Sequence, residues 1–285
     1  MKLASGLLRG GLLIGAAALA FVMVGSRRFD GLVTRDVKQL YSDPGPGIGL
    51  EELAVRRAAL PEPVQRHLRY AVREGTPALR TVRLLHGGSF RTKPDEPWFP
   101  IEGEEYFTVG KPGFVWAARM EPSPALWIGA RDEVIDGRGN MLVKIYSTFT
   151  IANAVGAQID EASRMRWLAE AIWFPSALAG KEIAWEAIDA HSARATLLDG
   201  GSPASLVFEF DDEGKISGMR TNRYRDIGGG RSVLTPWIGR VGNYRELGGI
   251  RVPTSVEVAW KLDGGEFSYA QFNVTVVEVN VPERF

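Results

Sequence analysis

Thr254-Ser-Val-Glu-Val-Ala-Trp-Lys-Leu262 places Val256, Val258, Trp260 and Leu262 on one side of an extended chain and Glu257 and Lys261 on the other. A period of two is the mark of a half-buried strand. The same rhythm returns at Leu206, Phe208 and Phe210. It also returns at Met141, Val143, Ile145, Phe149 and Ile151, read as one extended run with Ser147 among them. Lys111-Pro-Gly113, Asp136–Asn140, Asp211–Gly214, Gly228–Gly230, Gly248-Gly249 and Asp263–Gly265 punctuate the runs. Gly, and often Asn or Asp, accept the positive φ angles of tight hairpins at little cost. About ten strands follow from this spacing. The intervals leave no room for repeated crossover helices, so the sheet is expected to be antiparallel. A twisted sheet this wide curls. The expected fold is therefore mainly β (α+β): a curved antiparallel sheet or half-barrel with one or two helices on its concave face.

The rhythm begins after Leu79; before it the chain is helical. Glu51–Ala59 is a short helix, and Pro61-Glu-Pro63 opens a second, since proline is tolerated in a first turn. Val64, Leu68, Ala71 and Val72 share a face of it, His67 lies beside them, and Gly75 with Pro77 ends it. One further helix interrupts the strands. Asp160 is placed to cap it, Met165, Leu168, Ala169, Ile172 and Trp173 form its apolar stripe, and Pro175 stops it.

Between Arg9 and Arg27 there is no charge. The run Gly10–Gly25 would be about 24 Å long as a helix, and Leu7 and Leu8 extend it towards the thickness of a hydrocarbon core. It reads as a membrane anchor over residues 7–25. A cleaved signal peptide is the alternative, because Ala18-Leu19-Ala20 has the form of a cleavage site. Phe21–Val24 continues the apolar run past that site and favours the anchor. The basic flank of Arg27, Arg28, Arg35 and Lys38 argues for a cytoplasmic domain, whereas the signal-like layout argues for export. The expectation is a single-pass inner-membrane protein with its domain on the extracytoplasmic side. Residues 1–28 form the anchor, 29–60 a juxtamembrane linker with a short helix, and 61–285 one β-rich domain.

Lys plus Arg and Asp plus Glu each number 34, and cysteine is absent. A neutral chain does not gather polyanions over long range, so nucleic acid is not an expected partner. Without cysteine there is no disulfide, thiolate metal site or thiol nucleophile. No cofactor or metal is expected, because the three histidines, His67, His86 and His191, have no ligand spacing.

A Gly-x-Ser-x-Gly elbow is missing. His86, before Gly87-Gly88, is the best acid–base candidate, with Asp132 as a carboxylate partner. Arg131 and Asp132 must point to opposite faces of a strand, so one is expected to reach the inner side as a polar anchor. Arg223 and Arg225 share a face opposite Tyr224. Binding sites are mostly apolar with a few polar anchors. Trp98, Trp116, Arg131, Trp173, Phe174 and Trp237 are the candidate lining residues. The aromatics could equally fill a core.

Several segments together resemble an uncharacterised bacterial family, a domain of unknown function. They are Leu60-Pro-x-Pro-Val-Gln-Arg-x-Leu-Arg69, Arg83-x-x-His-x-Gly-x-Phe-Arg91, Pro112-Gly-Phe-Val-Trp116, Arg131-Asp132, Gly137-x-Gly-x-Met141, Trp173-Phe-Pro-Ser-Ala-Leu178 and Pro236-Trp237. The architecture is loosely similar to the lipoprotein-carrier fold of LolA and LppX type, which implies acyl chains held on a concave face. The expectation is a membrane-tethered, non-enzymatic binding domain for a lipid or other hydrophobic molecule. The alternatives are a hydrolase using His86 and a scaffold domain.

Overall fold

Asp136-Gly137 and Gly248-Gly249 turn the chain with φ of 52°, 74°, 59° and 78°, the double left-handed geometry that matches the twist of paired strands. Turns of this kind join successive strands of a computed structural model that describes residues 2–198, 203–228 and 231–285, with side chains from Gly15 onward. The expected turn at Gly228–Gly230 lies partly outside the described residues.

Thirteen strands occur among the described residues. β1 (Thr81–Phe90), β2 (Phe99–Thr108), β3 (Gly113–Ser123), β4 (Leu126–Ile135), β5 (Arg138–Ile145) and β6 (Phe149–Val155) form the first half. The second half is β7 (Ile183–Asp189), β8 (Ser192–Leu197), β9 (Ala204–Phe210), β10 (Ile216–Asp226), β11 (Ser232–Leu247), β12 (Ile250–Leu262) and β13 (Gly265–Val279). All lie in one sheet, in the order β6-β5-β4-β3-β2-β1-β13-β12-β11-β10-β9-β8-β7. Each pairing within it is antiparallel. Every pair in this order is of consecutive strands except β1 with β13, and consecutive β6 and β7 lie at opposite edges.

Among the described residues four α-helices accompany the sheet: α1 (Lys2–Leu40), α2 (Leu50–Arg57), α3 (Glu62–Ala71) and α4 (Ala157–Glu170). Two 3-10 turns, Ala171–Trp173 and Pro175–Ala179, follow α4. This segment carries the chain from one edge strand, β6, to the other, β7. α4 packs on both β5 and β9, so the sheet curls around it and its inner face is concave.

The core lies between that face and the helices. Val82, Leu84, Phe107 and Phe114 from the sheet meet Leu68, Leu168, Ile172, Phe174 and Leu178, all at or near zero exposure. Each such side chain contributes roughly 1.5–3 kcal/mol by leaving water.

Four details depart from the sequence reading. Residues 141–151 are a hairpin, because Tyr146 and Ser147 adopt φ of 54° and 52° and reverse the chain. Asp160 does not cap α4, which starts after Gly156. Its carboxylate instead accepts the Gly139 N–H at 2.7 Å and fastens the helix to β5. Ile172 and Trp173 fall in a 3-10 turn beyond the end of α4.

The fourth departure is the expected linker, which is helical as far as Leu40. α1 lies on the convex face, where Val33, Val37, Leu40 and Tyr41 pack on Tyr106, Val115 and Ala117. Their spacing of four, three and one residues is a helical stripe. Among the described residues no helix is long and apolar enough to cross a membrane. The span expected over residues 7–25 lies in part outside the described side chains.

Candidate functional site

Inward positions of the first strands carry charge where alternation calls for apolar groups. Glu105 on β2 and Asp132 on β4 both reach the concave face and are buried. Arg166 on α4 answers them, 2.8 Å from Glu105 and 2.9 Å from Asp132. It also meets Glu170, one helical turn on, at 2.7 Å, and its guanidinium lies 4.7 Å over the ring of Trp116. Burial opposes the charge on Arg166, and the surrounding carboxylates more than offset that and hold it protonated.

One cation faces three carboxylates. Burial, followed by the charge of Glu170, raises the Glu105 carboxyl well above the usual carboxylate range, against the pull of Arg166. Burial raises Glu170 as well. Glu170 Oε2 is buried and receives no donor, and a proton on Glu105 would supply one.

His86 stands beside this cluster. Its Nε2 accepts the Trp116 indole N–H at 2.9 Å. Burial, then the charge of Arg166, lowers its pKa to about 4, so the ring is neutral with its proton on Nδ1. Gly103, opposite His86 in the register, makes room: a Cβ there would run into the imidazole. Asp132 is engaged by Arg166, not His86. The structure does not bring the two together as an acid–base pair, and Trp116 and Arg166 stand between them. His67, the other buried histidine, packs against Phe210 and hydrogen-bonds the Gly214 carbonyl at 2.8 Å.

Beyond His86 the concave face is lined by rings that the helices leave half-buried. Phe272 lies 4.9 Å from His86 edge-on. Phe90 touches Phe99 at 5.7 Å and Tyr269 at 6.1 Å. Tyr269 stacks on Trp260 at 5.8 Å, and its hydroxyl accepts the Trp237 N–H at 2.9 Å. Arg223 lies 5.2 Å over Trp237. Phe90, Phe99, Trp260, Tyr269 and Phe272 are each only partly covered. These rings form an aromatic trough only in the sense of a half-buried row packed against the core at the Phe90 end of the concave face, with the charged cluster on the other side of His86.

The candidate lining residues divide accordingly. Trp116 and Trp237 are buried in the core at the inner edge of this row, their indole N–H groups donating to His86 and Tyr269. Trp98 lies at its rim, under Arg91 at 4.5 Å. Trp173 donates to the Pro253 carbonyl and Phe174 packs on Phe107 at 4.7 Å, so both fill the core under the helices. Arg131 faces the opposite, convex side, buried beneath α1 against Asp36, Glu133 and Asn140. Arg166, Glu105 and Glu170 were missed by sequence reasoning. The available signals were an Arg and Glu four apart on one helix and an acidic residue at an inward strand position.

A second concavity, of about 550 Å³, lies on the convex face between α1 and the sheet, bordered by Phe29, Asp30, Val33, Leu85, Arg119 and Arg284 among others. Arg284 crosses it to Asp30 at 2.7 Å and to Glu104 at 2.8 Å. A wall carrying these charges suits hydrocarbon poorly.

The profile of a family of unknown function, DUF6544, matches residues 54–272 and so takes in the resemblance motifs from Leu60 to Trp237. No curated protein matches the chain. Similar solved structures include a LolA-superfamily protein of Nitrosomonas europaea, 10% identical over 76% of this chain and 92% of its own, TM-score 0.42. A DUF1329 protein of Desulfovibrio piger aligns at 11% identity over 81% and 91%, TM-score 0.43. A protein from Vibrio parahaemolyticus, described as a putative outer membrane lipoprotein-sorting protein domain, aligns at 10% identity over 82% and 92%, TM-score 0.38.

Proposed function

The chain belongs to DUF6544, a family of unknown function, and we propose that it is a non-enzymatic binding protein that holds a lipid or similar hydrophobic molecule in the concavity of its sheet and is tethered to a membrane by residues 7–25. The observation that carries this reading is the run of half-buried rings Phe90, Phe99, Trp260, Tyr269 and Phe272. Inward-facing aromatics of a curled sheet are normally sealed by whatever covers them. Here the helices cover one end only. Large apolar rings left partly wet are what an elongated apolar guest would cover.

The floor of the trough says what the guest would carry. Arg166 is already matched by three carboxylates, so a second anion is not favoured there. A neutral or hydrogen-bonding head group fits better. The anchor supplies a lipid-rich setting, with the domain on the extracytoplasmic side. The hydrolase reading finds less support, because His86 is spent on Trp116 and Asp132 on Arg166.

Native mass spectrometry of the full chain, released from detergent, tests the reading. Adducts of lipid mass on the wild type that vanish in Trp260→Ser/Tyr269→Ser are expected. A bare polypeptide mass, with no uptake of an added fluorescent fatty acyl probe, would overturn it.

A further inference from the structure

Taking the tethered lipid-binding reading as given, we infer that the open end of the trough and the β5–β6 hairpin face the bilayer and rest on anionic lipid, so that a guest passes between trough and membrane without crossing water. α1 fixes the direction. At one end of the strands the hydroxyl of Tyr41, just past its last turn, donates to the Val82 carbonyl at 3.1 Å. At the other end Ser26 donates to the Tyr146 carbonyl at 3.1 Å and Thr148 to the Val22 carbonyl at 3.2 Å. Gly25 lets the helix touch the hairpin, for a Cβ there would overlap Thr148. The apolar run therefore meets the domain at the hairpin.

That end is also the mouth. Phe149, Ile145, Ile128, Met120 and Ile101 are consecutive cross-strand partners, and Ile101 pairs with Gly88, two residues from Phe90. The hairpin thus shares a row of the sheet with the lip of the trough.

The surface there has the chemistry of a bilayer interface. Leu19 and Phe21 on α1 are 62% and 58% exposed, and Phe149 and Ile151 on β6 are 50% and 55% exposed. Phe21 and Phe149 touch at 5.8 Å and join the two patches. Trp127 and Tyr146, 4.7 Å apart, sit beside them, and such rings favour the headgroup level. Arg27 and Arg28 are exposed and make no ion pair among the described residues. The nearby Asp30 is taken by Arg284, and Glu121 by Arg119. Two free guanidiniums beside an apolar patch complement an anionic leaflet.

The chain lacks cysteine, so single-cysteine labels test this directly. The full chain carrying Phe149→Cys, Ile151→Cys or, at the far end of α1, Ser42→Cys is placed one copy per nanodisc of phosphatidylglycerol and phosphatidylcholine. A polarity-sensitive dye on each is then quenched with nitroxide lipid or a water-soluble nitroxide. Blue-shifted emission quenched by the lipid is expected at positions 149 and 151, and quenching from water at position 42. Loss of the lipid contact in phosphatidylcholine discs, or with Arg27→Glu/Arg28→Glu, is also expected. Water access at 149 and 151 in a chain that stays in the disc overturns this orientation and leaves the tether standing. Failure to enter the disc removes both. Contact unchanged without anionic lipid overturns the leaflet assignment, and shielding seen only with two chains per disc gives the face to a second copy.

Discussion

Replacing Arg166 by Met keeps most of the side-chain volume and removes the one cation from a buried group of three carboxylates. Glu105 and Asp132 are 1% and 5% exposed, and the Arg166 side chain is 16% exposed. Stripping one partner from a buried ionic cluster costs about 3–5 kcal/mol, because the remaining charges stay desolvated. For a domain of this size that is roughly 6–20 °C in the thermal midpoint. The sign of the pH dependence follows from the acids. Glu105 and Glu170 already titrate above the unfolded carboxylate range, and without Arg166 they would rise further. The folded variant then holds protons that its unfolded chain has released, so it loses stability as pH rises from the unfolded carboxylate pKa through the raised folded value. The deficit relative to wild type should therefore be largest at pH 8 and shrink towards pH 5. Urea unfolding of the full chain, followed by tryptophan fluorescence at several pH values, measures it. Arg166→Met/Glu105→Gln should recover part of the loss by removing one negative charge. A deficit below about 1 kcal/mol would place the cluster among solvated ion pairs and refute its desolvation; a deficit flat with pH would refute the raised acids.

Other consequences can be checked separately. His67 is held neutral, its pKa lowered to about 4 chiefly by burial. A depressed histidine costs stability as pH falls below the unfolded value of about 6.5, approaching roughly 3 kcal/mol by pH 4; His67→Gln should flatten that acid limb of the unfolding curve. Trp260→Ser removes one ring from the trough wall, worth about 1.5–3 kcal/mol, so the acyl probe should bind about ten- to hundredfold more weakly by fluorescence titration, in a domain somewhat destabilised by loss of the stack on Tyr269. Gly25→Leu should push the β5–β6 hairpin off α1 and speed amide exchange at Tyr146–Phe149 while leaving β12 protected. Asp36→Ala leaves buried Arg131 with Glu133 and Asn140, and should loosen α1 enough for limited proteolysis near residue 36.

The sheet was legible because its strands repeat a two-residue rhythm between strong turn signals. Leu206–Phe210 and Val256–Leu262 fall on the concave face as alternation requires. At Met141–Ile151 the rhythm ran unbroken across a tight turn, since non-glycine Tyr146 and Ser147 gave no turn signal despite their positive φ. α1 is hidden for a different reason. The stripe Phe29, Val33, Val37, Leu40 is flanked by an apolar run and the Pro-Gly stretch at 44–49, and its target on the convex face exists only once the sheet has formed. The site was half legible. Trp116, Trp237 and Asp132 were picked out as aromatic or charged residues at strand positions, but the face each occupies depends on register. Arg166, Glu105 and Glu170 meet across 65 residues of chain, and no local pattern announces a contact of that kind.

The pairing of β1 with β13 is the one long-range seam in the sheet order. On either side of it lies a ladder of hairpins that each close over a handful of residues, at little loop entropy. A chain so laid out is divisible. Cut in the exposed stretch after β6, it would yield two self-pairing pieces whose remaining task is to zip Val82 onto Val279 and Phe90 onto Ala270 and to seat α4. Formation of that zipper, with its large sequence separation, should set the folding rate, and separately made halves should reassociate.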